Sequence, residues 1–233
     1  VNEAAVKFYN HLIDDLLAND IEPFINLYHF DMPMVLQEKG GWESLEVVEF
    51  YVAYAKTCFE LFGDRVKKWF THNEPIVPVE GGYLYGWHYP DKVDLKAGIQ
   101  VLYHEALASA KAIAAYHAMD LDGEIGIVLN LTPTYPRDEQ NDADVAAARF
   151  VDGFFNRSFL DPAVKGHFPQ DMVDWAKEND LLPQTTPEDL AIIAENTVDL
   201  LGVNYYQPRR AKAKETPVEK REAGLLPEDF YDV

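Results

Sequence analysis

Val66-Lys67-Lys68-Trp69-Phe70-Thr71-His72-Asn73-Glu74-Pro75 joins a short run of β-favouring residues directly to a polar end. Trp, Phe, Val and Thr are the residues that suit a pleated, half-buried surface, and no helical period runs through them. Three other runs share this design: Ile21 to His29, Ile125 to Asn130 and Val198 to Tyr206. Between them lie stretches of helical period. Val47 to Phe62 places Val47, Phe50, Tyr51, Tyr54, Cys58 and Phe59 on one side, and Ala97 to Met119 is an Ala-rich apolar segment. Ala143 to Phe159 and Asp189 to Glu195 are further helical candidates. Strands alternating with helices predict βαβ units and a parallel sheet, hence the α/β class.

Each run ends in polar or aromatic side chains: His29 with Asp31, Asn73 with Glu74, Asn130 with Thr132, Asn204 with Tyr206. In parallel α/β folds, and above all in (βα)8 barrels, the carboxyl ends of the strands build the site. Strand ends near residues 29, 74, 130 and 206 are further apart than the roughly 30 residues a minimal barrel spends on one βα unit. The surplus predicts long loops around a pocket. Four strands make half of a closed (βα)8 TIM barrel. The expected division is a partial barrel over residues 1–208 and a charged loop or tail over 209–233, where no sustained apolar face remains.

The chain has 233 residues, 48% of them hydrophobic, with 40 acidic against 20 basic side chains and a formal net charge of −20. That length and apolar content support a buried core and exclude a disordered chain. The charge repels phosphate backbones and anionic lipid, so neither nucleic acid nor membrane is an expected partner. One cysteine, Cys58, excludes an internal disulfide and any Cys-rich metal centre. No apolar run approaches the roughly 18 residues that span a bilayer, and the N-terminus lacks a leader layout, which points to the cytoplasm. The first residue is Val1, and Asn2 reads as the cap of an amphipathic helix carrying Val6, Tyr9, Leu12, Ile13, Leu16 and Leu17. A chain that opens in mid-architecture reads as a fragment.

Several chemistries are absent by inspection. Ser44, Ser109 and Ser158 are the only serines, none in a G-x-S-x-G elbow, and no phosphate-cradling glycine loop occurs. His104-Glu105 opens like H-E-x-x-H, but Ala108 stands where the second His belongs. Neither metal nor cofactor is expected, and Cys58 reads as a small core residue. Glu74 remains. Hydrolysis of a glycosidic bond needs a carboxylic acid to protonate the leaving oxygen, with a second carboxylate opposite. Pro75 disfavours helical backbone at Glu74, predicting an extended backbone at the strand mouth. On the residues alone, a solvated loop glutamate before a proline stays open.

Thr71 to Pro75 stands in one order with Tyr28-His29-Phe30-Asp31-Met32-Pro33, Leu36 to Trp42, Phe62 to Val66 and Leu200-Leu201-Gly202-Val203-Asn204-Tyr205-Tyr206. Together these segments resemble glycoside hydrolase family 1 over nearly the whole chain. The resemblance implies a (βα)8 barrel, of which this chain holds strands three to six, and a retaining β-glycosidase working through a covalent glycosyl-enzyme. It implies that Glu74 is the general acid/base and that Asn73 contacts the sugar 2-hydroxyl. It further implies that His29 binds glycone hydroxyls, that Asn130 faces the aglycone, and that Tyr206, with Asn204 beside it, orients the nucleophile. The Tyr28–Pro33 form, with Pro78 to Tyr85, is similar to bacterial 6-phospho-β-glucosidases. The implied substrate is therefore a 6-phospho-β-glucoside, or else a plain β-glucoside or β-galactoside. Two features depart from the pattern. His72 stands where the family has an aromatic residue, and the nucleophile motif Glu-Asn-Gly is missing, since Glu178-Asn179-Asp180 and Glu195-Asn196-Thr197 both fail at the third position. The expectation is an inactive fragment, or a non-catalytic half-barrel that self-associates through its open edges.

Overall fold

The computed structural model describes residues 1–215, 227, 231 and 232. The chain opens with α1 (Glu3–Ala18), whose first turn is closed by Asn2 Oδ1 accepting the Ala4 and Ala5 amides at 3.0 and 3.3 Å. Four strands follow the expected runs in shortened form: β1 (Phe24–Asn26), β2 (Lys68–Asn73), β3 (Glu124–Leu129) and, after a short β4 (Thr134–Pro136), β5 (Leu200–Val203). They make one parallel sheet in the order β1-β2-β3-β5.

Helices α2 (Met34–Gln37), α3 (Leu45–Phe62), α4 (Ile76–Val79) and α5 (Leu95–His117) fill the connections around β2. Helix α5 is buried along most of its length, because Ala106, Ala108, Ser109, Ala110 and Ala112 let it lie close against the sheet. Its direction opposes that of β2. Gly98 packs on Val79 and Tyr83 beyond the strand's carboxyl end, whereas Tyr116 lies beside Gly123, which abuts Lys67 at the amino end. Between α3, α5 and the sheet sits the aromatic heart of the core, where Phe59 meets Trp69 and Tyr116 edge-on at 5.0 and 5.1 Å.

Two strand glycines set the sheet's spacing. A Cβ on Gly126 would overlap the Leu200 carbonyl oxygen, and one on Gly202 would press on Val128 and Phe70. Glycine here serves close approach between strands.

The expected helix over 143–159 is divided. Helix α6 (Asp142–Asp152) passes into a π-helical turn at Gly153–Arg157 before α7 (Ser158–Lys165). The Asn156 carboxamide clasps the Thr132 backbone from both sides, accepting its amide at 2.9 Å and donating to its carbonyl at 2.8 Å. The clasping side chain belongs to this widened turn. Helices α8 (Gln170–Glu178) and α9 (Pro187–Glu195) complete the layer, the latter capped by Thr186 Oγ1.

The charged segment from Arg209 does not begin as a loop. Arg209–Ala213 is β6, parallel to β4 and antiparallel to β7 (Tyr231–Asp232). Its backbone is tied down from outside the segment: the Ala211 carbonyl accepts the Arg137 amide at 2.8 Å, and Asp144 Oδ1 accepts the Ala213 amide at 2.8 Å. Residues 216–226, 228–230 and 233 of the same expected tail lie outside the described residues.

Gly126→Ala tests the sheet spacing. The added methyl must push β5 away from β3, so urea unfolding of this chain should lose about 3 kcal/mol or more. An unchanged midpoint would mean that β5 does not sit at this distance.

Candidate active site

The decisive local feature is a bulge at the end of β2. Phe70 pairs with Gly126 and Asn73 with Val128, so three steps along β2 match two along β3. The extra residue breaks the alternation of side chains. Thr71 and His72 are both wholly buried. Thr71 Oγ1 sits 2.7 Å from Ser109 Oγ on α5 and donates to the Gly126 carbonyl at 3.1 Å. The His72 ring is enclosed by Tyr28, Trp42 and Tyr51 at centroid distances of 5.5, 5.3 and 4.8 Å. It occupies the position of an aromatic ring and packs as one. Burial drives its pKa down to about 3, so the imidazole is neutral.

After the bulge, Asn73 and Glu74 turn to the opposite side. The extended backbone expected at Glu74 is not what the structure shows: its φ is +49°, in the left-handed region. Pro75 excludes right-handed helix at Glu74, but it leaves this second conformation. Two backbone hydrogen bonds hold it, from the Glu74 amide to the Val128 carbonyl at 2.8 Å and from the Val77 amide to the Glu74 carbonyl at 2.9 Å. A non-glycine residue in this region is strained by about 1–3 kcal/mol and persists where its surroundings over-determine it.

Glu74 is 7% exposed, and its Oε1 accepts from Asn204 Nδ2 and from Tyr206 Oη, both at 2.7 Å. Asn204 Nδ2 also donates to Asn73 Oδ1 at 3.1 Å, and Asn73 Nδ2 donates to His29 Nε2 at 3.2 Å. Five of the six residues singled out in the sequence therefore form one hydrogen-bonded chain, His29–Asn73–Asn204–Glu74–Tyr206, drawn from the ends of β1, β2 and β5. Asn130 lies half-buried just past β3 without a hydrogen bond to that chain among the described residues. Tyr206, expected to touch a nucleophile, here donates to the acid/base candidate instead. That bond, with the charge behind it, raises the phenol above its ordinary value. His29 is aimed by the next turn, where Asp31 Oδ1 accepts its amide at 3.0 Å and Phe30 adopts φ +68°.

Two acidic residues were missed as site members. Glu80 follows α4 in a π-helical turn, with Arg209 Nη2 3.7 Å from its Oε1 and the guanidinium 4.7 Å over Phe155. Burial raises the Glu80 carboxyl, Arg209 pulls it back, and the Glu74 charge pushes it up again. A lone acidic side chain inside Pro78-Val79-Glu80-Gly81-Gly82 was the available signal. Glu105 is wholly buried on α5. Its neighbour His104 drew attention only as a failed metal motif.

The sequence pattern of Glycosyl hydrolase family 1 matches residues 1–225. The chain belongs to this family. The 6-phospho-beta-glucosidase GmuD of Bacillus subtilis (strain 168) is 61% identical over 232 residues, which are 100% of this chain and 50% of that protein. Beta-glucosidase A of Thermotoga maritima is 36% identical, covering 99% of this chain and 54% of its own length. Among solved structures, the rice Os3BGlu6 beta-glucosidase superposes with a TM-score of 0.89 at 30% identity over 98% of this chain and 50% of that one. The family 1 b-glucosidase from Thermotoga maritima gives 0.84 at 34% identity over 97% and 52%. The chain thus spans about half the length of these family 1 relatives, and its parallel sheet is part of a (βα)8 barrel. No helix among the described residues is long and apolar enough to cross a membrane.

The Glu74–Tyr206 bond is directly measurable. In ultraviolet titration, the signal lost in Tyr206→Phe should have a midpoint above that of an ordinary tyrosine. The same difference taken in a Glu74→Gln background should move down toward the ordinary value. An unmoved midpoint would remove Glu74 as the cause.

Proposed function

We propose that this family 1 chain carries the acid/base half of a retaining β-glycosidase that hydrolyses 6-phospho-β-glucosides in the cytoplasm. The observation that carries the reading is the setting of Glu74: a nearly buried carboxyl at the mouth of a parallel strand, on a strained backbone, with one oxygen held by two donors. Its Oε2 is the oxygen left to exchange a proton with a glycosidic oxygen. Asn73 and His29, linked to each other, supply the polar edge for glycone hydroxyls. Asn204 and Tyr206 keep Glu74 in one orientation, and Asn130 lines the aglycone side.

The phosphorylated substrate is supported by the name of the Bacillus subtilis relative and by the Tyr28–Pro33 and Pro78–Tyr85 segments. Thermotoga maritima beta-glucosidase A, at lower identity, favours a plain β-glucoside as the second reading. A retaining reaction needs a nucleophilic carboxylate about 5–5.5 Å from the acid. Among the described residues Glu80 is a carboxylate that feels the Glu74 charge, and its ion pair with Arg209 assigns it elsewhere. On this reading the nucleophile is not among the described residues, and this chain by itself is inactive.

Two substrates separate the roles. This chain by itself should not turn over 2,4-dinitrophenyl β-glucoside 6-phosphate, whose leaving group needs no acid. In the protein that also carries the nucleophile, Glu74→Gln should cost about 10²–10⁴-fold more with a methyl glycoside 6-phosphate than with the dinitrophenyl one. Equal losses would remove Glu74 from the acid role, and better kcat/KM without the 6-phosphate would favour the plain glycoside.

The open sheet carries a further consequence. Phe8 and Phe24 are 62% and 55% exposed, and among the described residues β1 and β5 are the open edges of their sheet. Such surfaces favour association. Sedimentation of this chain should show species heavier than 26.5 kDa as concentration rises. A single monomeric species would overturn that expectation.

A further inference from the structure

Glu105 and His72 stand out among the groups that the proposed chemistry does not use. Both are wholly buried, and neither the two carboxyl oxygens of Glu105 nor the two ring nitrogens of His72 have a hydrogen-bond partner among the described residues. Burial holds the carboxyl well above the usual carboxylate range and the imidazole well below its own, so both are neutral.

The packing of α5 on β2 brings them to the same level of the core. Ser109 on Thr71 pins α5 to β2, and the two elements run in opposite directions. Glu105 lies one helical turn before Ser109, hence level with the residues that follow Thr71. His104 Nδ1 lies 2.7 Å from the Trp42 carbonyl, which fixes this turn of α5 beside the indole that packs on His72. Tyr28 and Tyr51, the other walls of the His72 cage, both lie within electrostatic reach of Glu105: burial chiefly raises their hydroxyls, and an ionised Glu105 would push them further. The groups around His72 are thus Tyr28 from the β1 end, Trp42 from the turn after α2, Tyr51 from α3 and Glu105 from α5.

A neutral carboxyl offers one donor and an acceptor, and a neutral imidazole offers one of each. Buried polar groups are almost always satisfied, and a shared internal water satisfies groups that do not touch directly. We propose that Glu105 and His72 bind one internal water between them, and that this neutral bridge is a positioning element for the Asn73–Glu74 strand end. The second half rests on Glu74 being the proposed acid/base. The bridge ties α5 to the bulge from behind, one residue before the Asn73 carboxamide. Glu105 holds His72, His72 holds the bulge, and the bulge aims Glu74. The Tyr51 hydroxyl, donating to the Thr71 carbonyl at 2.6 Å, braces the same bulge from α3.

The test is a double-mutant cycle in this chain, read by unfolding midpoint and by the Tyr206 titration described above. Glu105→Gln keeps a donor and an acceptor and should preserve both readouts. Glu105→Leu and His72→Phe should each lower the midpoint, and the double variant should lose less than the sum, because neither polar group is left stranded. Glu105→Leu should also shift the Tyr206 midpoint toward that of an ordinary tyrosine, with Glu105→Gln rescuing it. Additive losses would overturn the bridge. Coupled losses with an unmoved Tyr206 would overturn the positioning role. Neither readout needs turnover, so failure of the glycosidase reading is seen separately, in the Glu74→Gln leaving-group series.

Discussion

Everything at the polar edge of this molecule depends on the contact between Thr71 and Ser109. A strand that alternated regularly would place His72 opposite Thr71 and bring Asn73 back to the helix side. The hydroxyl pair, 2.7 Å apart, holds Thr71 against α5 while the aromatic cage takes His72 on the same side. The strand accommodates both only by bulging, and the bulge frees Asn73 and Glu74 to face the opposite way. The positive φ at Glu74 is the remainder of that adjustment, borne where the Val128 carbonyl can hold the amide. Core packing on one face of the sheet thus determines the geometry of chemistry on the other.

Electrostatics around Glu74 divide into donors and opposing charges. Asn204 and Tyr206 hold the Glu74 carboxylate by direct hydrogen bonds. Glu80 adds a second negative group nearby, and Arg209 balances it. Arg209 begins β6, so the strand in the segment first read as tail also carries the counter-charge of the site. A net charge of −20 opposes an anionic sugar phosphate at long range, which leaves recognition of any phosphate to local basic groups.

The parallel α/β arrangement was legible because short β-favouring runs and stretches of helical period alternate from Ile21 to Tyr206. The site was legible because each run stops at a polar residue. Five of those residues meet, and Asn130, the one that does not, shows that a strand-end position alone does not create a contact. What could not be read depends on pairs remote in sequence. The bulge needs Ser109 against Thr71, the turn at Gly153–Arg157 needs Asn156 against Thr132, and β6 needs Arg137 and Asp144 to take its backbone groups. No local pattern encodes such partners. Glu80 and Glu105 escaped for another reason: a single acidic residue in an apolar run looks like a solvated exception until burial is known.

The two faces of the sheet also explain why half of a barrel presents an organised edge. The hydrogen-bonded chain from His29 to Tyr206 is closed within residues 29–206 and draws its support from α3, α5 and the sheet itself. Its geometry therefore does not wait on further strands. The opposite requirement holds for bond cleavage, where an acid without an opposing nucleophile cannot form a glycosyl-enzyme. Tyr206 links the two requirements. It is 69% exposed, and its only described hydrogen bond is to Glu74. A second carboxylate arriving near Tyr206 would compete with Glu74 for that phenolic proton. Completion of the site would then do two things at once, supplying the nucleophile and drawing the phenol away from Glu74.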